Sequence, residues 1–207
     1  MFIRTHRLLL RPPWPEDAAA IAQGLAEREV AEGLARAPWP RDARHGAAAE
    51  GFIARLEALE PQPTFVILSR EGDDAPLAGA ISLFREGEDG GEDGEEEGGD
   101  GGGKRGREWR LGVWLGAGWR GRGYATEAAG AVLELAFLGL RLPRVVAGCL
   151  TDNPASGRVL EKLGFAPAAE GGRGGPARDC NVPCRNVALT REGWLAHRAS
   201  QVEMHAA

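Results

Sequence analysis

The sequence predicts a single α/β domain around a mixed sheet, and three observations support this. Predicted strands and helices alternate along the 207 residues, as in helices layered on a sheet. No internal repeat and no linker-like stretch divides residues 1–207 into separate domains. The segment 108–137 passes from a strand through a glycine-rich corner into a helix. We expect the remainder of the fold to surround this central segment.

Composition limits the class of protein. Hydrophobic residues make up 43% of the chain, enough for a core. No apolar run approaches the roughly 18–20 residues needed to cross a bilayer, and the N-terminus lacks a secretory signal. Three cysteines are not a disulfide framework, and no second Cys/His pair accompanies Cys180 and Cys184 as a zinc site would require. We expect a cytoplasmic protein that binds neither a metal nor a membrane.

Charge is distributed unevenly. Residues 86–106 contain nine acidic and two basic residues, many glycines and no apolar residue. Such a stretch cannot bury enough surface to offset its ordering entropy, so we interpret it as a solvated, mobile insert within the domain. Subtracting its −7 from the total of −5 leaves +2 for the remainder. This remainder is compatible with a polyanionic small molecule, and it has no basic stripe typical of nucleic-acid binding.

The elements that precede the insert are predicted from hydrophobic periodicity and from prolines. They are a strand at 7–11, helices over 17–35 and 43–59, and strands at 64–68 and 77–84. The last two strands are rich in β-branched and apolar residues on either side of a turn, which predicts a hairpin.

The central strand and helix have clear apolar faces. The strand alternates with a period of two, and its apolar side consists of Trp109, Leu111, Val113 and Leu115. The helix places Ala125, Ala128, Ala129, Val132 and Ala136 on one face. Gly139 is predicted to end this helix in a left-handed conformation.

After the centre, the pattern predicts a strand, a capped helix and a terminal strand and helix. Residues 144–150 form the strand. Asn153 suits the N-cap and Pro154 the first position of a helix that ends at Gly164. A strand begins at Phe165, 170–181 are a loop, and the chain closes with a strand at 182–190 and a short helix at 192–199.

Two glycine patterns overlap in the corner. Gly116, Gly118 and Gly121 form a G-x-G-x-x-G dinucleotide fingerprint. The helix can begin only after Gly123, and no acidic residue closes a second strand about 20 residues later, as ribose recognition requires. This pattern therefore favours a nucleotide-binding oxidoreductase only weakly.

The second pattern is Arg120-x-x-Gly123-x-Ala125. Glycines at 121 and 123 leave the backbone bare, so N–H groups from about Arg120 to Ala125 can surround a pyrophosphate at the positive end of the helix. The side chains of Arg120 and Arg122 can add charge-assisted hydrogen bonds. We interpret the corner as the site of a phosphorylated cofactor.

This second pattern resembles the acetyl-CoA motif of the GNAT N-acetyltransferase superfamily, and DNPASGRVLEKLGF (152–165) resembles its companion motif. RLLLRPPWPEDA near the start and the LGVWL strand are similar to the branch that acetylates the N-terminal (alanine) amines of ribosomal proteins. The resemblance covers nearly the whole chain except the acidic insert. It implies a mostly antiparallel sheet of six to seven strands, splayed in the middle, with helices on both faces.

The same resemblance implies a site for acetyl-CoA, used as a co-substrate. Pantetheine would lie in the splay and pair with the backbone of Val113 and Leu115, with the Val113 N–H facing the thioester carbonyl. Asn153 would lie near the pantetheine arm, and Tyr124 is expected to be half-buried scaffold. The implied cofactor-binding set is Val113, Leu115, Arg120, Gly121, Arg122, Gly123, Tyr124, Ala125, Asn153 and Ser156.

The implied reaction is direct attack on the thioester by a primary amine, either a protein N-terminus or a small amine. Many family members use a tyrosine as acid where this chain has Leu160, so Ser156, one turn earlier, is the candidate acid. Where the branch often has a glutamate, this chain has Arg110. Glu108 is the candidate base, although an ion pair with Arg110 would lower its pKa, and a water relay is the alternative.

Two further hypotheses stay open. The missing tyrosine and displaced glutamate motivate a CoA-binding sensor or interaction module without turnover, and the corner alone motivates the oxidoreductase. The acceptor amine is not identified by the sequence, although the acidic insert slightly favours a cationic one. A homodimer is compatible with the sequence.

Overall fold

The computed structural model describes residues 1–33, 62–72, 74–85, 108–168 and 184–206. The predicted helix at 43–59, the acidic insert at 86–106 and the loop at 170–181 lie outside these described residues. No helix in the described ranges combines the length and the apolar character that crossing a membrane requires.

The described strands form one mixed, mostly antiparallel sheet in the order β1-β2-β3-β4-β5-β6-β8-β7. Every neighbouring pair is antiparallel except β5 and β6, which are parallel. The strands are β1 (Ile3–Arg4), β2 (Leu8–Arg11), β3 (Thr64–Ser69), β4 (Leu77–Arg85), β5 (Trp109–Leu115), β6 (Arg144–Leu150), β7 (Ala166–Pro167) and β8 (Cys184–Thr190). The predicted fold class is confirmed.

The described sheet has eight strands, so the predicted count of six to seven is wrong. The first and last in the order, β1 and β7, have only two residues each. β7 lies where a strand was predicted to begin, at Phe165, so β1 is the additional strand. A strand of two residues carries no periodicity that could separate it from a loop.

The described helices are α1 (Ala18–Ala26), α2 (Arg28–Gly33), α3 (Tyr124–Glu134), α4 (Pro154–Lys162) and α5 (Arg191–Ala206). The predicted helix at 17–35 is interrupted at Glu27, whose backbone is extended (φ −61°, ψ 122°). The terminal helix is longer than the predicted 192–199.

The end of α3 differs from the prediction. The helix continues into a π-helical turn over Leu135–Gly139, in which the Leu140 N–H donates to Leu135 O at 2.8 Å. The left-handed residue is Arg141 (φ 54°), and Gly139 has no positive φ. The prediction of a left-handed stop at Gly139 is wrong because Gly139 is the last residue of the π-helical turn.

Two apolar layers cover the faces of the sheet. The larger one joins α3, α4 and α5 to the sheet, with Tyr124, Phe137 and Trp194 among its buried residues. The other packs α1 and α2 against the opposite face around Trp114. Adjacent residues of β5 thus face different layers, as the pleat requires, and β5 is anchored on both sides.

The close approach of β4 to β5 at Gly79 gives a first prediction. A Cβ atom added to Gly79 would lie 2.1 Å from the carbonyl oxygen of Trp114. We expect Gly79→Ala to force the two strands apart and to lower the free energy of unfolding by about 2 kcal/mol. The control is Gly130→Ala in α3, where the added Cβ atom would lie 3.9 Å from Leu163 Cδ2; it should be neutral or stabilising by up to about 1 kcal/mol. Urea unfolding measures both, and equal midpoints would contradict the prediction.

Candidate active site: a gap in the sheet beside a glycine-rich corner

A gap opens in the sheet between β5 and β6. The two parallel strands pair only at Arg110 with Val146 and at Leu111 with Ala147. Beyond these pairs β5 stays paired with β4 as far as Leu115, while β6 stays paired with β8 as far as Leu150. Each strand therefore keeps its outer partner and leaves its inner edge open, so the sheet is splayed in the middle as the sequence predicts.

The backbone of β5 directs alternate polar groups into this gap. The Gly116 N–H donates to Ala78 O across β4 at 3.0 Å. Since antiparallel pairs alternate between bonded and non-bonded positions, the backbone groups of Val113 and Leu115 point away from β4 and toward β6. The Leu115 carbonyl already accepts a hydrogen bond from Arg120 Nε at 3.2 Å, whereas the Val113 groups face the gap.

The corner after β5 presents free amides. Gly121 (φ 75°) and Gly123 (φ 80°) are both left-handed, a conformation that costs a residue with a Cβ roughly 1–2 kcal/mol. The first hydrogen bond of α3 runs from the Glu127 N–H to Gly123 O at 3.0 Å. Within the described chain, the N–H groups of residues 121–126 have no protein acceptor. The Arg120 N–H, which was predicted to join them, instead donates to Ala117 O.

A cavity of about 420 Å³ adjoins both the gap and the corner. Its described lining contains three cationic side chains, Arg120, Arg158 and Lys162, and no carboxylate or imidazole. Nine of the ten residues predicted to bind the cofactor line it: Val113, Leu115, Arg120, Gly121, Gly123, Tyr124, Ala125, Asn153 and Ser156. The cavity is thus positively charged and joined to a set of free N–H donors, a combination that suits a polyanion.

Two cationic residues of this lining were not predicted. Arg158 and Lys162 both lie on α4, four residues apart, so they share one face of the helix. The four-residue spacing is visible in the sequence. The apolar residues between the two cations, however, led to a prediction that concerned only how this helix packs on the core.

Three further residues of the cavity, Asn153, Ser156 and Leu160, belong to α4 and its N-cap. The Asn153 side chain accepts a hydrogen bond from the Ser156 N–H at 3.1 Å, as a helix cap. Its other predicted role, contact with the pantetheine arm, is compatible with this because Asn153 also lines the cavity. Ser156 and Leu160 line the cavity from successive turns, and the role of Ser156 as an acid stays a prediction.

Arg122, the tenth predicted residue, does not line the cavity. Its guanidinium forms an ion pair with the carboxylate of Glu71 and lies 5.0 Å from the centre of the Tyr124 ring. Arg120 does line the cavity, and its Nη1 forms an ion pair with Glu29 at 3.0 Å. The two arginines of the motif therefore have different surroundings, which the sequence alone could not distinguish.

Tyr124 is structural. Its side chain is fully buried rather than half-buried as predicted. The hydroxyl is hydrogen-bonded to Ser69 Oγ at 3.0 Å and to Glu71, and the ring stacks on Trp119 with centroids 5.9 Å apart. It reaches the cavity lining at the first turn of α3.

Glu108, the candidate base, lies outside the cavity lining. It is about half exposed and lies 3.5 Å from Arg144 Nη1, so its ion-pair partner is Arg144 rather than the predicted Arg110. Arg110 is buried and donates from Nη2 to Asn186 Oδ1 at 3.0 Å. Burial lowers the pKa of Arg110, while Cys184 and Glu108 nearby raise it; the guanidinium remains a cation and cannot serve as a base.

An ion pair between two partly buried side chains lies beside the corner, and the sequence did not predict it. Arg7 Nε and Glu127 Oε2 are 2.8 Å apart, and Glu127 also accepts from the Arg7 N–H and from Thr5 Oγ1. Burial raises the pKa of Glu127, but these hydrogen bonds and the charge of Arg7 outweigh it, so the pKa lies below its ordinary 4.5. The partners are 120 residues apart, and no local pattern could reveal them.

A sheet that splays beside a glycine-rich corner is the arrangement that the resemblance to the GNAT superfamily implies. Residues 7–166 match the family model of the acetyltransferase (GNAT) domain, which is most of the chain. The chain therefore belongs to the GNAT acetyltransferase family, and the resemblance seen in the sequence is confirmed.

Three similar proteins illustrate this membership. An uncharacterized N-acetyltransferase of Bacillus subtilis, YnaD, is 43% identical over 47 residues, 23% of this chain and 28% of that protein. The chain thus aligns with less than a third of the length of that curated relative. Mycobacterium smegmatis RimJ, solved in complex with CoA-disulfide, has a TM-score of 0.66 and 22% identity over 89% of this chain and 82% of its own.

The third is the ribosomal-protein-S5-alanine acetyltransferase from Vibrio fischeri. Its TM-score is 0.65, with 16% identity over 94% of this chain and 98% of its own. At these identities the two solved structures establish the fold, and they include the branch to which the sequence was compared.

The depressed pKa of Glu127 generates a second prediction. Its ionised form is favoured in the folded protein, so the stability contributed by Glu127 is full above the unfolded pKa and is lost as pH falls through the folded pKa. We expect Glu127→Gln to lower the free energy of unfolding by about 1 kcal/mol at neutral pH. The difference from wild type should be constant above about pH 5.5 and shrink in more acidic solution. Urea titrations across this range measure it.

The matched control for this prediction is Glu134→Gln on the same helix. Glu134 forms an exposed ion pair with Arg198, and such pairs contribute only a few tenths of a kcal/mol. A pH-independent difference for Glu127→Gln, or an equal one for Glu134→Gln, would contradict the assignment.

Proposed function

We propose that this protein is an acetyl-CoA-dependent N-acetyltransferase that moves an acetyl group to a primary amine. The observation that carries the proposal is the set of unpartnered N–H groups at residues 121–126 beside a cavity lined by cations. A diphosphate supplies the acceptor oxygens and negative charge that both features match. Membership of the GNAT acetyltransferase family supports acetyl-CoA as the molecule that carries this diphosphate.

The remaining residues fit the other parts of this substrate. The gap beside Val113 and Leu115 offers backbone hydrogen bonds to an extended amide chain, as a missing strand would. The Val113 N–H is the proposed donor to the thioester carbonyl oxygen. Asn153, Ala155 and Val159 line the opposite side and would bound the pantetheine arm.

The proposed reaction is direct transfer. The neutral amine nitrogen forms a bond to the acetyl carbon, and the carbon–sulfur bond breaks. Water takes the proton that the ammonium form must lose, because the described lining holds no carboxylate or imidazole and Glu108 lies outside it. Ser156 is the proposed donor of the proton that the departing thiolate receives, and its hydroxyl regains a proton, through water, from the nitrogen that sheds one when the amide forms. Asn153 orients the Ser156 backbone through the cap.

The acceptor is proposed only as a primary amine. Solved ribosomal-protein acetyltransferases share the fold, which makes a protein N-terminus the first candidate, and the acidic composition of residues 86–106 favours acceptors with additional positive charge.

A binding and turnover experiment tests the cofactor assignment. We expect calorimetry to detect binding of CoA, and thiol release from acetyl-CoA when amines, including peptides with free N-termini, are offered. Gly121→Ala should weaken CoA binding about tenfold, because a Cβ disfavours the left-handed conformation that exposes the amides. Gly118→Ala should not, since Gly118 lies outside the cavity lining and a Cβ there would meet no atom within 4 Å.

Other outcomes of this experiment would favour the other hypotheses. CoA binding without thiol release across a broad amine panel would favour a sensor without turnover. Protection from thermal unfolding by NAD(P)H but not by CoA would favour an oxidoreductase, for which Gly118→Ala would be harmful.

The proposed acid generates a separate prediction. Ser156→Ala retains the backbone N–H that Asn153 caps, so the fold should be unchanged. We expect kcat to fall roughly tenfold or more, with little change in the affinity for acetyl-CoA. Steady-state kinetics measures this, and Ser200→Ala, which removes a hydroxyl bonded to Ala196 O on α5, is the control. An unchanged kcat in Ser156→Ala would remove Ser156 from the mechanism.

A further inference from the structure

Two groups of residues from distant parts of the chain contact the glycine-rich corner from outside the cavity. The first is the turn between β1 and β2. Arg7 Nη1 donates to the carbonyl oxygen of Arg122 at 2.8 Å, and Arg7 Nε donates to Glu127 at 2.8 Å. Glu127 also accepts from the Arg7 N–H at 2.7 Å and from Thr5 Oγ1 at 2.6 Å. One arginine therefore joins the loop to the first turn of α3.

The second group is the end of β3 and the turn after it. Glu71 pairs with the Arg122 guanidinium and accepts from the Tyr124 hydroxyl, which is also bonded to Ser69. The Arg7 guanidinium lies 4.9 Å from the centre of the Tyr124 ring, so the two groups meet. We call Thr5, Arg7, Glu71, Arg122 and Glu127 the corner brace.

The corner needs such external contacts. Glycine populates many backbone conformations, and the two left-handed glycines at 121 and 123 do not by themselves hold the amides of 121–126 in one arrangement. Within the described chain these amides make no hydrogen bond to the protein, so they have no hydrogen bond of their own to hold their direction. Arg122 lies between the two glycines, so contacts that hold Arg122 in place restrict the backbone of both Gly121 and Gly123.

The corner brace also neutralises carboxylates that would otherwise repel a diphosphate at the corner. Glu127 lies in the first turn of α3, near the position proposed for a diphosphate, and a carboxylate there would repel it. Arg7 neutralises Glu127 at 2.8 Å, just as Arg122 neutralises Glu71. Neither Arg7 nor Glu127 lines the cavity, so both act through the backbone they hold.

We propose that Arg7 is a positioning residue for the cofactor-binding corner. By donating to the Arg122 carbonyl and to Glu127 together, it holds the amides of 121–126 in the arrangement that receives a diphosphate. The proposal rests on the proposed function, because it assigns Arg7 to the diphosphate half of acetyl-CoA. Preorganised donors bind more tightly since less ordering entropy is lost on binding.

The test compares two acyl donors, of which only acetyl-CoA carries the diphosphate and the 3′-phosphoadenosine attached to it. The other, S-acetyl-pantetheine, retains the thioester and the amide arm. We expect Arg7→Met to raise KM for acetyl-CoA about tenfold and to leave KM for S-acetyl-pantetheine within about twofold of wild type. Arg7→Lys keeps the charge but lacks separate nitrogens for Glu127 and the Arg122 carbonyl, so its KM should be intermediate.

The control is Arg11→Met on the adjacent strand. Arg11 forms a buried ion pair with Asp17 at 2.7 Å and makes no contact with the corner in the described structure. It should lower the unfolding midpoint and leave the ratio of the two KM values unchanged. An equal rise of both KM values in Arg7→Met would mean that Arg7 only stabilises the fold, and would overturn the proposal.

A second measurement separates this proposal from the proposed function. Without any ligand, ¹⁵N relaxation of the amides of 121–126 should show lower order parameters in Arg7→Met than in wild type and Arg11→Met. Unchanged order parameters would overturn the brace even in an active enzyme. Absence of thiol release and of CoA binding by wild type would instead overturn the proposed function, and the relaxation data would still decide the role of Arg7.

Discussion

The active-site geometry depends on the early end of the pairing between β5 and β6. Only two residue pairs join these strands, while β4 and β8 pair with their outer edges along the full seven residues of each. Beyond these two pairs the inner edges have no partner strand, so their backbone polar groups need another hydrogen-bond partner or water. A ligand with an extended amide chain can make those hydrogen bonds, so the early end of the strand pairing suits the ligand proposed above.

The corner places the second half of the site at the end of this gap. Because β5 runs directly into it, the position of the free amides is fixed relative to Val113 by a single continuous segment of chain. Gly121 and Gly123 have left-handed backbones and line the cavity, and the proposed brace holds the loop that contains them. Electrostatics acts in the same direction, since Arg120, Arg158 and Lys162 line the cavity from two different elements.

Local patterns were sufficient for the parts of this site that are continuous in sequence. The alternation of β5, the paired glycines and the Asn153 cap each depend on neighbouring residues, and the structure has them where the sequence predicts them. The environment of Arg122 could not be predicted from neighbouring residues. Its partner Glu71 is 51 residues away in the sequence, and the two meet only in the folded sheet. The interruption at Glu27 has a similar cause: its carboxylate accepts from the Ala117 N–H, 90 residues later.

Arg110 places a constraint on the chemistry that follows from charge alone. It is a buried cation one position before the sheet opens, and a methyl group on Gly148 would lie 3.1 Å from Cys184 Sγ and 3.5 Å from Arg110 Nη2. A positive charge here disfavours an ammonium group nearby. Arg110 does not line the cavity, and a guanidinium cannot accept a proton, so the residue at the position where the resembling branch often has a glutamate cannot serve as a base.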